Sequence, residues 1–398
     1  MDPSLIQPQP NPEPIFVFQN DPEKMRLLTE VNEKLNINKT PTNKLVFVYS
    51  APKVGSTSIV SSLRIFGTNK VSVIHIHDEE MLRVLGRITG VTINEIILFN
   101  KYLGRDVYVI DVYRSPIERK ISAFFEKIGS YHFNNKDEHV NKYNVVKVIN
   151  RFNKIFPHVA NGDHFMDKYN ISIPEKFDYI QKYLLVHENG ISYIKLRLKD
   201  SAYWSSILTN LFGFKIAAVK DYESSEKPIK DLYRKFKNVY KLPSTFLDEL
   251  TNCKYLNYYY SEEETKEYID SWRKKMGPPT DHYTLEQYTM YEQLTIENSH
   301  IDCIQLNHYM DEGCLCKACG IKRNEIAGRL ILGQVVVDRI IHSDAKNELF
   351  IKRIERANII NENISRQKQQ VSVKGGRKNF NGEMSRVVSG RKIDNPYG

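Results

Sequence analysis

Residues 50–58, Ser-Ala-Pro-Lys-Val-Gly-Ser-Thr-Ser, bring one lysine, one glycine and several hydroxyl groups together directly after an apolar run. That run, residues 44–49, is β-branched and aromatic and has the length of a strand, and residues 59–66 are compatible with a helix. Glycine allows backbone amides to approach an anion closely, and a helix N-terminus carries partial positive charge. The sequence therefore predicts an anion-binding loop between a strand and a helix.

The spacing within this loop excludes a nucleoside triphosphatase loop. The Gly-x4-Gly-Lys-Ser/Thr pattern is absent, and Lys53 precedes Gly55. The hydroxyls and amides of residues 56–58 would lie at the helix N-terminus, where Lys53 adds a full charge. A plain glycine–serine turn that joins a strand to a helix is the structural alternative.

Residues 114–124, Arg-Ser-Pro-Ile-Glu-Arg-Lys-Ile-Ser-Ala-Phe, close a second apolar run of strand character, residues 106–113. Pro116 fits the first turn of a following helix. Arg114 would leave the strand end, and Ser122 would lie two turns along the helix. An arginine can engage two oxygens of one anion through its planar donors, so this segment predicts a second anion site.

Taken alone, Arg114 and Arg119 would also suit ordinary ion pairs on a solvated helix face, with Glu118 or Glu126 as partners. The order of the two motifs favours another interpretation. Residues 43–276 resemble the sulfotransferase superfamily, and the segments Pro-Lys-Val-Gly-Ser-Thr and Arg-x-Pro-x-Glu-Arg-x-x-Ser-Ala-Phe are most similar to its carbohydrate-directed branches.

The resemblance implies an α/β fold with three layers, a parallel sheet flanked by helices, similar to sulfotransferases and P-loop NTPases. The donor 3′-phosphoadenosine 5′-phosphosulfate (PAPS) would lie across the carboxyl ends of the strands. Arg114 and Ser122 would hold its 3′-phosphate, and Lys53 would also neutralise the departing phosphate oxygen. The residues expected around the 5′-phosphosulfate are Lys53, Gly55, Ser56, Thr57 and Ser58.

Two histidines in residues 71–78 provide a candidate base. His75 and His77 point to one face of a short strand because side chains alternate along it, and imidazole titrates near neutrality. Some glycan sulfotransferases have a similar His-x-His in which the second histidine is the base, so we assign that role to His77, with His75 as substitute or orienting partner. Asp78 or Glu79 could accept a hydrogen bond behind it. A metal-binding pair or a satisfied core histidine is the alternative.

Later segments indicate continued α/β structure. Residues 191–198 and 215–219 resemble strands, and residues 200–204 resemble a helix entry. Arg197 and Lys220 would be solvated charges or would reach the donor or an anionic acceptor.

The composition is that of an ordinary soluble enzyme: 398 residues, 41% hydrophobic and 11% aromatic. We expect an N-terminal extension at residues 1–40, a catalytic domain at 41–276, a small, mainly helical module at 277–364 and a tail at 365–398. No membrane-spanning run or signal peptide is evident, unlike the Golgi-anchored animal carbohydrate sulfotransferases. A cytoplasmic or intracellular assembly-site location is therefore expected, and frequent Asn, Lys, Ile and Tyr suggest an AT-rich microbe or a large DNA virus.

The C-terminal module contains a cysteine cluster that could bind structural zinc. The candidate ligands are Cys303, Cys314, Cys316 and Cys319, with His300 and His308 nearby. The spacing differs from a standard zinc finger, so free thiols or a disulfide are alternatives. Residues 325–341 and 344–364 have the periodicity of a helical hairpin.

The tail at residues 365–398 is polar and basic and contributes to the net charge of +9. It would attract an acidic partner, either nucleic acid, an anionic glycan or another acidic surface, or it would be a solvated disordered end.

Together these features predict a PAPS-dependent sulfotransferase that transfers a sulfuryl group to a hydroxyl of a carbohydrate or glycoconjugate acceptor by in-line displacement. The alternatives are a noncatalytic structural or interaction protein with the same fold, and a protein-tyrosine sulfotransferase.

Overall fold

A computed structural model of the chain describes residues 16–37, 42–129, 131, 140–155, 160, 162–169, 171–219 and 228–280. The cysteine cluster (Cys303, Cys314, Cys316 and Cys319), the basic tail and Lys220 lie outside the described residues, so the expectations for them stay predictions.

A five-stranded sheet forms the centre of the fold, with the strand order β2-β1-β3-β5-β4. Its strands are β1 Lys44–Tyr49, β2 Ser72–Ile76, β3 Asp106–Tyr113, β4 Tyr183–Glu188 and β5 Ile191–Arg197. Strands β2, β1, β3 and β5 are mutually parallel, whereas β4 pairs antiparallel with β5. The predicted α/β class is confirmed, but the sheet is mixed rather than wholly parallel.

The antiparallel strand has a local cause in the sequence Asn189-Gly190. Both residues have positive φ, 53° for Asn189 and 69° for Gly190. Two successive residues with positive φ form the tight turn that matches the twist of a two-stranded hairpin. β4 and β5 are therefore consecutive hairpin strands, and β4 ends the sheet at this edge.

Helices cover both faces of the sheet because alternate residues of β1 enter two separate cores. Leu45, Phe47 and Tyr49 belong to one apolar cluster, and Val46 and Val48 belong to the other. The helices are α1 Pro22–Lys34, α2 Ser56–Phe66, α3 Glu79–Gly86, α4 Ile93–Tyr102, α5 Pro116–Glu126, α6 Val145–Ile155, α7 His164–Asp167, α8 Trp204–Phe212, α9 Lys230–Val239, α10 Thr245–Thr251, α11 Lys254–Tyr259 and α12 Glu262–Arg273.

Shorter elements complete the described chain. Two 3-10 helices span Val17–Asn20 and Leu198–Tyr203, and β6 Leu242–Pro243 pairs with β7 Met276–Gly277. The predicted helix entry at residues 200–204 is thus a 3-10 turn that leads into α8. None of the helices in the described ranges is both long enough and apolar enough to cross a membrane.

The prediction of a strand at residues 215–219 is wrong, since this segment has no regular secondary structure. Its backbone N–H groups bond to side-chain hydroxyls instead of a neighbouring strand. The amide of Ala218 donates to Ser205 Oγ at 2.9 Å, and the amide of Val219 donates to Ser62 Oγ at 2.8 Å. The apolar pattern reflects burial against α2 and α8.

Arg197 is neither solvated nor directed at a ligand. It is buried, and its guanidinium contacts Asp200 Oδ2 at 2.5 Å and Glu264 Oε2 at 2.8 Å. It also donates to the Tyr259 carbonyl oxygen at 2.8 Å. Arg197 therefore fastens the end of β5 to α11 and α12, and the sequence-based expectation for this residue was wrong.

Packing of α2 against the sheet can be tested with one substitution at two positions of the same helix. Ile59 is fully buried, whereas Ile65 is 47% exposed. We expect Ile59→Ala to lower the free energy of unfolding by about 2–5 kcal/mol because it leaves a cavity under the helix. Ile65→Ala is the matched control and should cost under about 1 kcal/mol. Urea unfolding gives both values, and equal losses would contradict this packing.

Candidate functional site

The loop between β1 and α2 depends on Gly55, which precedes the first residue of the helix. Gly55 has a φ of 91°, and a Cβ here would lie 2.8 Å from Leu198 Cδ1 and 3.3 Å from Trp204 Cη2. Any other residue here would have a strained backbone, and its Cβ would press against the Leu198 side chain of the 3-10 helix and against Trp204, the first residue of α8. Lys53 also has a positive φ, 66°, within the same turn.

The N-terminus of α2 opens toward the carboxyl edge of the sheet. In the described structure no side chain caps it, because Gly55 is the N-cap residue. The amide of Ser58 donates to the Gly55 carbonyl at 3.2 Å, which closes the first turn. The N-terminal amides and the dipole of this eleven-residue helix favour an anion here. Thr57 and Ser58 are half-buried, and Ser56 is buried.

Arg114 joins the two predicted anion-binding segments. It follows β3, and its Nη1 donates to the Lys53 carbonyl oxygen at 2.8 Å. Since β1 and β3 are parallel neighbours, both segments leave the sheet at the same edge. Ser122 lies on α5, whose first residue is Pro116 as the sequence predicted, and its side chain is buried.

Glu126 places a carboxylate beside the loop. Its Oε2 lies 2.9 Å from Lys53 Nζ, with the two side chains 30% and 15% exposed. Glu126 is one helical turn beyond Ser122, so both residues occupy the same face of α5. The ion-pair partner considered for Arg114 in the sequence is thus the partner of Lys53.

His77 directly follows β2, and a hydrogen bond from its ring to the backbone fixes the orientation of the ring. Its Nδ1 lies 2.7 Å from the Ser50 carbonyl oxygen, which can only accept, so Nδ1 carries the proton and Nε2 carries the lone pair. Burial lowers the pKa of His77, which keeps the ring neutral near pH 7. Asp78 instead caps α3 through Oδ1, at 2.8 Å from the Met81 amide. The oxygen that orients His77 is therefore a backbone carbonyl rather than Asp78 or Glu79.

His75 lies beside His77, with 4.6 Å between the ring centroids. The expectation that the two histidines share one face is met. His75 Nε2 hydrogen-bonds to Ser56 Oγ at 3.0 Å, and burial holds the pKa of His75 well below its usual range. His75 is a neutral ring that links β2 to the first residue of α2, so its geometry favours orientation over proton transfer.

A polar group that contacts His77 through His164 was missed from sequence; its four members are His164, Asp163, Lys195 and Asp111. His164 donates through Nε2 to the His77 carbonyl oxygen at 2.7 Å, and Asp163 contacts Lys195 Nζ at 2.5 Å. The sequence did contain one signal of this polar group, namely that Lys195 and Asp111 lie within otherwise apolar strands. His164 and Asp163 had no signal, because their contacts depend on the path of a segment far along the chain.

The described residues contain no group of three or more His, Cys, Asp or Glu side chains placed to hold a metal ion. A structural zinc on the cysteine cluster stays a prediction. The loop geometry fits an anionic donor, because a helix start without a side-chain cap lies next to Lys53. The arrangement is thus chemically suited to hold phosphate groups beside a neutral histidine.

Comparison of the chain with protein-family models, with curated proteins and with solved structures finds no match.

Proposed function

We propose that the protein is a PAPS-dependent sulfotransferase that transfers a sulfuryl group to a hydroxyl of a carbohydrate acceptor. The observation that carries this proposal is the hydrogen bond from Arg114 to the Lys53 carbonyl. It places the two segments that resemble sulfotransferase motifs side by side, at the edge of the sheet where His77 also lies.

The donor would be held at two points. The amides of Ser56 and Thr57, with Lys53, would hold the 5′-phosphosulfate, because a helix N-terminus and an ammonium group both favour dense negative charge. Arg114 and Ser122 would hold the 3′-phosphate, to which a guanidinium and a hydroxyl would both donate hydrogen bonds.

His77 would act as the base through Nε2. As the acceptor oxygen forms its bond to sulfur, the bond between sulfur and the donor phosphate oxygen breaks, and the hydroxyl proton moves to Nε2. The electron pair of the broken bond stays on the phosphate oxygen of adenosine 3′,5′-bisphosphate, where Lys53 offsets the developing charge. The Ser50 carbonyl would stabilise the imidazolium that forms, because it accepts from Nδ1–H throughout.

A carbohydrate is preferred as acceptor on the basis of the two motifs, which resemble the carbohydrate-directed branches of the superfamily. The location of the protein and the partner of its basic tail stay predictions.

The donor site can be tested by calorimetric titration with adenosine 3′,5′-bisphosphate. We expect Arg114→Ala to weaken binding by about 1.5–3 kcal/mol, since it removes a charge-assisted contact. Arg234→Ala, on the exposed surface of α9, is the matched control and should leave affinity unchanged. Folded wild-type protein that binds no bisphosphate would reject the donor site and favour the noncatalytic alternative.

The base can be tested separately from binding. We expect His77→Ala to lower the transfer rate by about 10²- to 10⁴-fold, because a positioned base is lost, while bisphosphate affinity is retained. The control is His187→Ala on β4, which should transfer at the wild-type rate. Equal transfer by wild type and His77→Ala would exclude this base.

The proposed role of His77 predicts the direction in which the transfer rate changes with pH. Only neutral His77 can accept the proton, so activity falls as pH falls through its pKa. Because burial lowers that pKa, the acidic limb of kcat/KM should lie below the value of about 6.5 typical of an exposed histidine. An inflection above that value in the wild-type profile would contradict the assignment.

Glu126 provides a test of charge competition at Lys53. We expect Glu126→Gln to tighten bisphosphate binding roughly two- to fivefold, as expected for loss of a partly exposed ion pair of up to ~1 kcal/mol that the ligand must break. Glu267→Gln on α12 changes the net charge equally and should have no effect. Weaker binding by Glu126→Gln would show that the carboxylate supports the ligand instead of competing with it.

A further inference from the structure

A buried group of charges lies below the candidate site. Lys195 Nζ is 2.7 Å from Asp111 Oδ2 and 2.5 Å from Asp163 Oδ2, and all three side chains are at most 2% exposed. Asp111 and Lys195 are direct partners in the β3–β5 register, so this contact crosses the middle of the sheet. Asp163 comes from outside the sheet and brings its own segment to this point.

Asp163 is held by several bonds of fixed direction. Its Oδ1 accepts from the Met166 amide at 3.0 Å, which caps α7, and from the Tyr259 hydroxyl at 3.0 Å. The preceding residue is also fixed, because Arg119 Nη1 donates to the Gly162 carbonyl oxygen at 2.7 Å. The segment that starts α7 is therefore fastened both to the sheet and to α5.

His164 is the next residue, and it connects this anchored segment to the candidate base. Its Nε2 donates to the His77 carbonyl oxygen at 2.7 Å, and its ring stands edge-on to Tyr49, with 4.7 Å between centroids. His77 is thus held at two points, its carbonyl by His164 and its ring Nδ1 by Ser50. These two hydrogen bonds together determine the direction in which Nε2 of His77 faces.

We propose that His164 is a positioning residue for His77, and that the buried Lys195–Asp163 ion pair anchors it. The inference rests on the proposed function, because it assigns His77 the role of base. His164 touches neither donor nor acceptor in this scheme and acts only through the backbone of His77.

The charge cluster suits such a role better than a purely stabilising one. Buried ion pairs pay a large desolvation penalty, and apolar side chains of similar volume often stabilise a core equally well. An ion pair with short hydrogen bonds does, however, fix direction, which apolar contacts do not. Burial also lowers the pKa of His164, with Lys168 and Lys195 adding to the shift and Asp111 opposing it. The neutral ring is the form that donates from Nε2 alone.

The experiment compares His164→Gln with His164→Leu in the full-length protein. Glutamine carries an amide N–H near the position of Nε2, whereas leucine has similar bulk but no donor. Nitrogen-15 NMR of the His77 ring, assigned with His77→Ala, reports its tautomer and mobility without needing activity. We expect wild type and His164→Gln to show one ring state with protonated Nδ1, and His164→Leu to show exchange or a second state.

Transfer kinetics form the second measurement. We expect His164→Leu to lower kcat by up to about 100-fold through displacement of Nε2, with the KM for donor within about twofold and substantial rescue in His164→Gln. A His77 spectrum in His164→Leu identical to wild type would overturn the proposal, and so would equal loss of kcat in both variants. If His164→Leu does not fold, His164→Asn replaces it, because its shorter amide cannot reach the His77 carbonyl.

The two measurements separate this inference from the proposed function. A wild-type protein that transfers no sulfuryl group rejects the function, whereas the NMR comparison still decides whether His164 fixes the His77 ring.

Discussion

Parallel pairing of β1 with both β2 and β3 is the constraint from which the site follows. Three strands that run in the same direction must all leave the sheet at one edge, so the turns after them are neighbours although they are distant in sequence. Lys53, His77 and Arg114 each follow one of these strands. Hydrogen bonds between the turns, from His77 to Ser50 and from Arg114 to Lys53, then convert proximity into a fixed geometry.

Burial and charge divide the site into two regions with different properties. The histidines lie in a desolvated region in which the pKa of both His75 and His77 is lowered, and both rings are therefore neutral. Lys53 and Arg114 are only partly buried. In the proposed reaction, the neutral ring of His77 could accept the hydroxyl proton beside the loop that would hold the anionic donor.

Local sequence patterns predicted most of the strands, turns and helix starts at the carboxyl edge of the sheet. The features that they did not predict depend on tertiary contacts. The strands before Ser50 and Arg114, the helix that begins at Pro116 and the shared face of His75 and His77 follow from periodicity and from the preferences of proline and glycine. The prediction of a strand at residues 215–219 was wrong because an apolar segment can be buried while its amides bond to side-chain hydroxyls of α2 and α8. The carbonyl partner of His77 was not predictable, since every residue has a carbonyl and only the β1–β2 register selects that of Ser50. The hairpin turn at Asn189-Gly190 was readable and was overlooked.

The contact between Lys53 and Glu126 has a consequence for which ions the loop can discriminate. The ammonium group already has a counterion of one negative charge at 2.9 Å, supplied at no cost in translational entropy. A monovalent ion such as chloride offers no greater charge and must give up its freedom to bind. A phosphate or phosphosulfate group carries more charge and several oxygens, so it can exchange favourably with the carboxylate. The carboxylate of Glu126 therefore opposes monovalent anions at Lys53 by up to ~1 kcal/mol, the usual strength of a partly exposed ion pair.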